Sequence, residues 1–232
     1  MLLVNHIKLP QLKILQLKIK TMFTVIIPAR FSSSRLPGKP LAMIANKTMI
    51  QRVYEQAAKS AASRVIVATD DARVVAVVKA FGGEVCMTRP THVSGTDRLQ
   101  EVCSQYQLSN EVIVMNVQGD EPLMPAVNMT QVASNLAQSN CDMATLHKII
   151  DHRRALDPNQ VKLVHDSRGI TSYFSRALIP FDRDKKTQQF CGHIGIYAYR
   201  VGFLKIFTKL SVCELETREK LEQLRTLWHG YT

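Results

Sequence analysis

The chain has 232 residues, 46% of them apolar, and carries a net charge of +11 with five cysteines. That length suits one sizeable domain or a domain with a small appendage, and the apolar fraction excludes wholesale disorder. The charge asks for an anionic partner: nucleic acid, an anionic membrane surface or a phosphorylated small molecule. Cys86, Cys103, Cys141, Cys191 and Cys213 are scattered with no C-x-x-C pair. This supports neither a disulfide framework nor a zinc site, and it fits a reducing cytosol.

The first twenty residues contain Lys8, Lys13, Lys18 and Lys20 and no acid; without them the balance falls to 26 basic against 19 acidic residues, or +7. They lack the continuous apolar core and cleavage site of a signal peptide. Met22 stands just before the first good strand, so residues 1–21 read as a basic, non-essential extension. No stretch reaches transmembrane length, so no stable membrane insertion is expected.

Phe23 to Ile27 is uncharged and rich in β-branched residues, the signature of a strand buried on both faces. Pro28 ends it, and a loop follows with Arg30, Arg35 and Lys39, three serines, Gly38 and no acid. Cations and backbone N–H groups at a strand exit suit a phosphate chain. The loop is neither a Walker A motif nor a G-x-G-x-x-G.

Met49 to Ala62 has helical apolar spacing, Arg64 to Thr69 is a second buried strand ended by Asp70-Asp71, and Val74 to Phe81 is a helix stopped by Gly82-Gly83. Glu84 to Met87 reads as a third strand, Asp97 to Tyr106 as a helix and Val112 to Val117 as a fourth strand, followed by Gln118-Gly119-Asp120-Glu121. This alternation predicts an α/β fold with a mostly parallel, doubly wound, Rossmann-like sheet over residues 22–142. From Met143 the pattern becomes strands at Ala144 to Ile149, Val161 to Val164, Thr171 to Phe174 and Ile194 to Tyr199. These predict a smaller, partly antiparallel subdomain over 143–213. A closing helix, Glu214 to Trp228, returns to the main domain within 214–232, with Leu221, Leu224 and Trp228 on its core stripe.

In such a sheet, ligands bind off the carboxyl ends of the strands. The basic loop, Asp70-Asp71 and the Asp120 loop would then share one edge, as a nucleoside triphosphate with magnesium requires. Asp120 is the best single metal candidate. In His193-Ile194-Gly195-Ile196-Tyr197, His193, Gly195 and Tyr197 share one strand face, with room for a ligand over the glycine. Glu222 and Gln223 lie off the core stripe and face a cleft or water.

Together, VIIPARFSSSRLPGKPL, IVATDD, GGEVCMTRPTHVSGTDRL, MNVQGDEP, PNQVKLV, YFSRALIP, HIGIYAYR and LEQLRTLWHG resemble the 3-deoxy-manno-octulosonate cytidylyltransferases, or CMP-Kdo synthetases, within the nucleotide-diphospho-sugar transferase-type fold. The resemblance runs from Phe23 to Tyr231. It implies CTP over the first loop, with Arg30, Arg35 and Lys39 on its phosphates and the base near Arg89, Ser94, Gly95, Thr96 and Gln118. It implies Mg²⁺ on Asp120, with Arg35, Lys39 and Asp120 catalytic, and the sugar acid near His193, Tyr197, Glu222 and Gln223. The hydroxyl on the anomeric carbon of Kdo would attack the α-phosphorus, giving CMP-Kdo for lipopolysaccharide assembly and pyrophosphate. A cytoplasmic homodimer is implied as well, with 143–213 binding sugar and forming the dimer.

Two departures stand out. The family continues with a segment whose Asp supplies a further magnesium ligand, past Thr232, and Gly192 stands where the family pattern has a basic residue before the histidine. A transferase for another sugar acid or amino-Kdo, or an inactive nucleotide-binding remnant, are the alternatives. Aromatics make up only 6% of the chain and are not interleaved with the basic residues on an exposed sheet, so nucleic-acid binding is not expected.

Overall fold

The computed structural model describes residues 2–6, 22–32, 37–186 and 188–232. The described residues form two compact units: residues 2–6, 135–186, 188–195 and 209–232 build one, the barrel unit, and residues 22–32, 37–134 and 196–208 build the other, the parallel unit. Among the described residues no helix is long and apolar enough to cross a membrane.

The first strand, β1 (Leu2–His6), belongs to the barrel unit. The parallel unit begins with β2 (Phe23–Pro28), which buries Phe23 through Ile27 as its uncharged composition demands. A two-residue ladder, β3 (Met43–Ile44) with β4 (Lys47–Thr48), leads into α1 (Met49–Ala58), whose first turn is capped by the Thr48 hydroxyl. Then come β5 (Arg64–Thr69), α2 (Ala72–Ala80), β6 (Glu84–Met87), α3 (Gly95–Gln105) and β7 (Ile113–Asn116). The strands lie side by side in the order β6-β5-β2-β7, all parallel, with helices flanking them. Ile26 of β2 stands between Ile66 and Asn116, so β2 and β7 finish level and deliver their loops to the same edge. The predicted α/β arrangement is the one found.

After α4 (Ala126–Ala137) the barrel unit resumes with β8 (Met143–Asp151), the single turn α5 (His152–Ala155), β9 (Lys162–His165), β10 (Ile170–Ser175) and β11 (Gln189–Arg200). Its strands run in the order β11-β8-β1-β10-β9, and β9 pairs back onto β11, which closes them into a ring. β1 lies parallel to β8 and antiparallel to β10. The second half of β11 belongs to the parallel unit, where it pairs antiparallel with β7, and α6 (Val201–Phe207) continues it with Val201, Phe203, Leu204 and Phe207 buried. The chain ends in α7 (Glu214–Glu219) and α8 (Leu224–Trp228).

Several expectations change. Leu2–His6 is an inserted strand rather than a mere tail; the rest of that extension lies outside the described residues. α4 was not anticipated, although Met129, Val132, Ala133 and Leu136 are buried at helical spacing. Residues 196–208 pack with the parallel unit, because β11 pairs with β7, and 209–232 pack with the barrel unit rather than returning to the main domain. The closing helix is two helices. Lys220 takes a left-handed conformation (φ 53°) between them, and Arg176 fastens the break by donating from Nε to the Glu219 carbonyl at 2.6 Å. That break turns the expected stripe: Leu221 and Leu224 are buried, Trp228 is 51% exposed, and Gln223 is buried instead of facing outward.

Candidate functional site

The exits of β2 and β7 enclose a cavity of about 410 Å³ in the parallel unit, lined by Pro28, Ala29, Arg30, Ser32, Lys39, Pro40, Gly95, Gln118, Gly119 and Asp120. Three loops make it. The basic loop leaves β2 and is tied at its neck by the Gly38 N–H, which donates to the Phe31 carbonyl at 2.9 Å. Gly38 has φ +74°, so its left-handed turn into the short 3₁₀ segment Lys39–Leu41 needs a glycine. The second loop leaves β7, and Gly119 lets it close on the first: a Cβ there would lie 2.8 Å from the Pro28 carbonyl oxygen. The third wall is the start of α3, where a Cβ on Gly95 would touch the Pro28 ring at 3.4 Å.

Inside this cavity Lys39 Nζ donates directly to Asp120 Oδ2, joining positions 81 residues apart. Both side chains remain partly solvent-accessible, 35% and 44%, so neither is a core ion pair. Burial pushes the neighbouring Glu121 carboxyl above its usual range, and the Asp120 charge adds to that effect. Arg30, Lys39, Gly95, Gln118 and Asp120 are thus brought together. Arg35 lies outside the described residues.

The other expected nucleotide contacts take different positions. Ser94 caps α3: its hydroxyl accepts from the Asp97 N–H at 3.1 Å while the Asp97 carboxylate accepts from the Ser94 N–H, also at 3.1 Å. Thr96 is buried in the first turn of that helix. Arg89 is largely exposed, with its N–H donating to Glu101 at 3.1 Å. Burial works against the Glu101 carboxylate, but hydrogen bonds from His92, the Arg89 N–H and Gln105 outweigh it and hold its pKa at about 2.

The two acids after β5 do not join the cavity lining. Asp70 accepts from Arg98 Nη2 at 2.7 Å, and Arg98 is fully buried in α3 with its other arm on the Thr88 hydroxyl. Asp71 caps α2 through the Arg73 N–H at 2.9 Å and pairs with that guanidinium, which brings its pKa down to about 2. The acids do leave β5 at the expected edge, since β5 runs parallel to and level with β2, but their carboxylates turn to the α2 and α3 starts and hold those in place.

Sequence reasoning missed Asn116, the last residue of β7. It is buried, its Oδ1 has no hydrogen-bond partner among the described residues, and its amide lies 4.0 Å from where a Gly95 Cβ would be. The only signal was an amide closing an otherwise apolar strand. Tyr197 stands directly across the β11–β7 pair from it and is half-buried.

His193, Glu222 and Gln223 belong to the barrel unit, whereas Tyr197 belongs to the parallel unit. Although His193 as a residue keeps some exposure, its ring is enclosed, edge-on to Phe174 at 5.1 Å and 3.0 Å from the Thr145 hydroxyl through Nε2. Burial, with a smaller contribution from nearby His147, pulls its pKa down to about 3, so the imidazole is neutral at physiological pH. Glu222 lies 4.0 Å from Arg225, and Gln223 Nε2 is buried with no hydrogen-bond partner among the described residues. Along β11 the even positions 190, 192, 196 and 198 are buried, and 193, 195 and 197 share the less buried face. Gly195 has open space beside it. Gly192 does not: a Cβ there would meet Ile150 Cγ2 at 2.8 Å, so this chain has no room for a basic side chain.

A cytidylyltransferase family model matches residues 24–232. The chain is 56% identical over 216 residues to the 3-deoxy-manno-octulosonate cytidylyltransferase of Photobacterium profundum, covering 90% of this chain and 87% of that protein. The same enzyme of Aliivibrio salmonicida is 55% identical over 216 residues, with the same coverage of 90% and 87%. Among solved structures, CMP:2-keto-3-deoxy-manno-octonic acid synthetase complexed with CTP superposes with a TM-score of 0.85 at 42% identity, covering 90% of this chain and 87% of that one.

Proposed function

The chain belongs to the cytidylyltransferase family, and from that premise we propose that it transfers CMP from CTP to the anomeric hydroxyl of 3-deoxy-D-manno-octulosonate, giving CMP-Kdo and pyrophosphate. The observation that carries the reading is the meeting of Lys39 with Asp120 in the cavity at the strand exits. A cation from one loop and a carboxylate from another line one cavity, as a metal-bound triphosphate requires. The names of the relatives support the sugar, and the CTP of the solved relative supports the nucleotide.

In this reading Arg30 and Lys39 bind the phosphates, a role the resemblance also gives to Arg35. Gln118 faces the base from the second loop. The Asp120 carboxylate, half-exposed and next to Glu121, suits Mg²⁺, a cation that takes oxygen ligands and uses one or two carboxylates together with substrate phosphates. Bound there, Mg²⁺ supplies charge neutralisation for the triphosphate. The sugar hydroxyl attacks the α-phosphorus and pyrophosphate leaves; the protein aligns the two and steadies the departing charge. Among the described residues no histidine or cysteine lines the cavity, and the reading uses no covalent enzyme intermediate.

His193, Tyr197, Glu222 and Gln223 are assigned to the sugar. The neutral His193 ring, whose Nε2–H goes to the Thr145 hydroxyl, has its Nδ1 lone pair for a sugar hydroxyl and brings no charge to the sugar acid. The product would enter lipopolysaccharide assembly, with the enzyme a cytoplasmic homodimer. The five free cysteines suit that reducing compartment. Pyrophosphate release with CTP, Mg²⁺ and Kdo tests the proposal: turnover dependent on all three is expected, and CTP binding without turnover would overturn it.

A further inference from the structure

The barrel unit gathers three metal-ligating side chains that no motif links in sequence. One ligand atom each from His147, His165 and Cys191 lies within 4.8 Å of the other two. They come from β8, β9 and β11. Cys191 sits opposite Leu163 in the β11–β9 pair, and Leu163 and His165 alternate on one face of β9, so the thiol and the imidazole are diagonal neighbours. The His147 and His165 rings stack obliquely, with centroids 5.1 Å apart at 40°.

We propose that His147, His165 and Cys191 bind one borderline transition-metal ion of the Zn²⁺ type. The donor set decides the class. Two imidazole nitrogens and a sulfur suit zinc and not magnesium or calcium, which take oxygen. In a tetrahedral zinc site such atoms stand about 3.3–3.6 Å apart, given Zn–N near 2.0–2.1 Å and Zn–S near 2.3 Å. Side-chain rotation therefore has at most about 1.2–1.5 Å to close.

Two further features suit the site. The His165 Nδ1–H donates to the Asp166 carbonyl at 2.7 Å, so Nε2 carries the lone pair. A backbone acceptor on the far nitrogen is what ordinarily orients a metal-bound histidine. Across the β10–β9 pair from His165 stands Thr171, whose buried hydroxyl has no hydrogen-bond partner among the described residues. It can take a hydrogen bond from a water completing the coordination. Binding takes Cys191 as the thiolate, with its proton released to solvent, and cross-links three strands of the closed ring.

The test uses the full chain and Co²⁺ as a spectroscopic substitute for zinc. One equivalent is expected to give a thiolate-to-cobalt charge-transfer band that Zn²⁺ displaces and Mg²⁺ does not. Cys191→Ser should abolish the band, and His165→Ala should weaken binding roughly tenfold or more. His165 is exposed, so its alanine variant should melt like the parent without metal but gain nothing from added Zn²⁺. Absence of the band in the parent, or its survival in Cys191→Ser, would overturn the assignment. Metal held at Asp120 cannot produce that band, because the cavity there contains no thiol.

Discussion

Lys39 and Asp120 lie 81 residues apart in the chain and in direct hydrogen-bonded contact in the fold, the lysine ammonium donating to Oδ2. β2 and β7 bring them together. The two strands are parallel neighbours in register, Ile26 beside Asn116, and each turns into its loop within a few residues. The pair adds little to stability, since an exposed ion pair contributes at most about 1 kcal/mol. Its importance is to fix opposite charges at one cavity.

Lys39→Ala should therefore lower the rate of pyrophosphate release by roughly 100- to 1,000-fold, as loss of a well-placed electrostatic donor does. Its melting temperature should barely move. Parent-like turnover would remove Lys39 from the phosphate site.

Replacing Asp120 by asparagine keeps the size and removes the charge. A Mg²⁺ titration of initial rate should shift to higher metal concentration or lose the rate altogether. An unaltered titration curve would show that the carboxylate does not hold the ion.

Gly119→Ala forces a methyl group to within 2.8 Å of the Pro28 carbonyl oxygen, a backbone atom that cannot rotate away. Overpacking of this kind costs about 1–3 kcal/mol. Chemical denaturation should register that loss, and CTP affinity should fall as the loops part. Gly95→Ala meets the Pro28 ring at 3.4 Å and the Asn116 amide at 4.0 Å, ordinary contacts with side chains, and should be far milder in the denaturation experiment.

Arg98→Ala should be among the most destabilising single changes. It strips Asp70 and Thr88 of a fully buried partner, and breaking such a pair costs about 3–5 kcal/mol. The urea midpoint should drop accordingly. A shift under 1 kcal/mol would mean that solvent reaches Asp70 freely.

His193 makes stability depend on pH with a definite sign. Its folded pKa of about 3 lies below the unfolded value of 6.5, so between these values the unfolded chain binds the extra proton. Its contribution is complete above pH 6.5 and is lost as pH falls toward 3. Asp71 and Glu101, both held near 2, act in the same direction but only below their ordinary values of 3.8 and 4.5. The slope of unfolding free energy between pH 6.5 and 4.5 should thus flatten in His193→Gln. If the slope persists unchanged, the ring is not enclosed.

Much of this was legible in the residues. The apolar runs in β2 and β5 could be read as buried strands because a strand covered on both faces needs apolar side chains at nearly every position. The Asp120 loop was legible for a related reason: an acid straight after such a run must stand at a strand exit. Gln223 was misread because its place on the stripe assumed one helix, and the break at Lys220 depends on Arg176, 43 residues from Glu219, reaching the helix end. Asp70 leaves its strand at the expected edge, but its use in the framework was not legible, because nothing in IVATDD shows that an arginine 28 residues on will be buried against it.

By itself the sequence determined the α/β alternation, the strand exits and the basic and acidic loops that follow them, since these are set by local periodicity and composition. Only the tertiary structure decided which loops meet, which acids are taken up by the framework, and that His147, His165 and Cys191 converge. The reason is physical. Strand pairing and burial join residues tens of positions apart, and whether a charge is solvated, paired or enclosed depends on the neighbours that such pairing supplies.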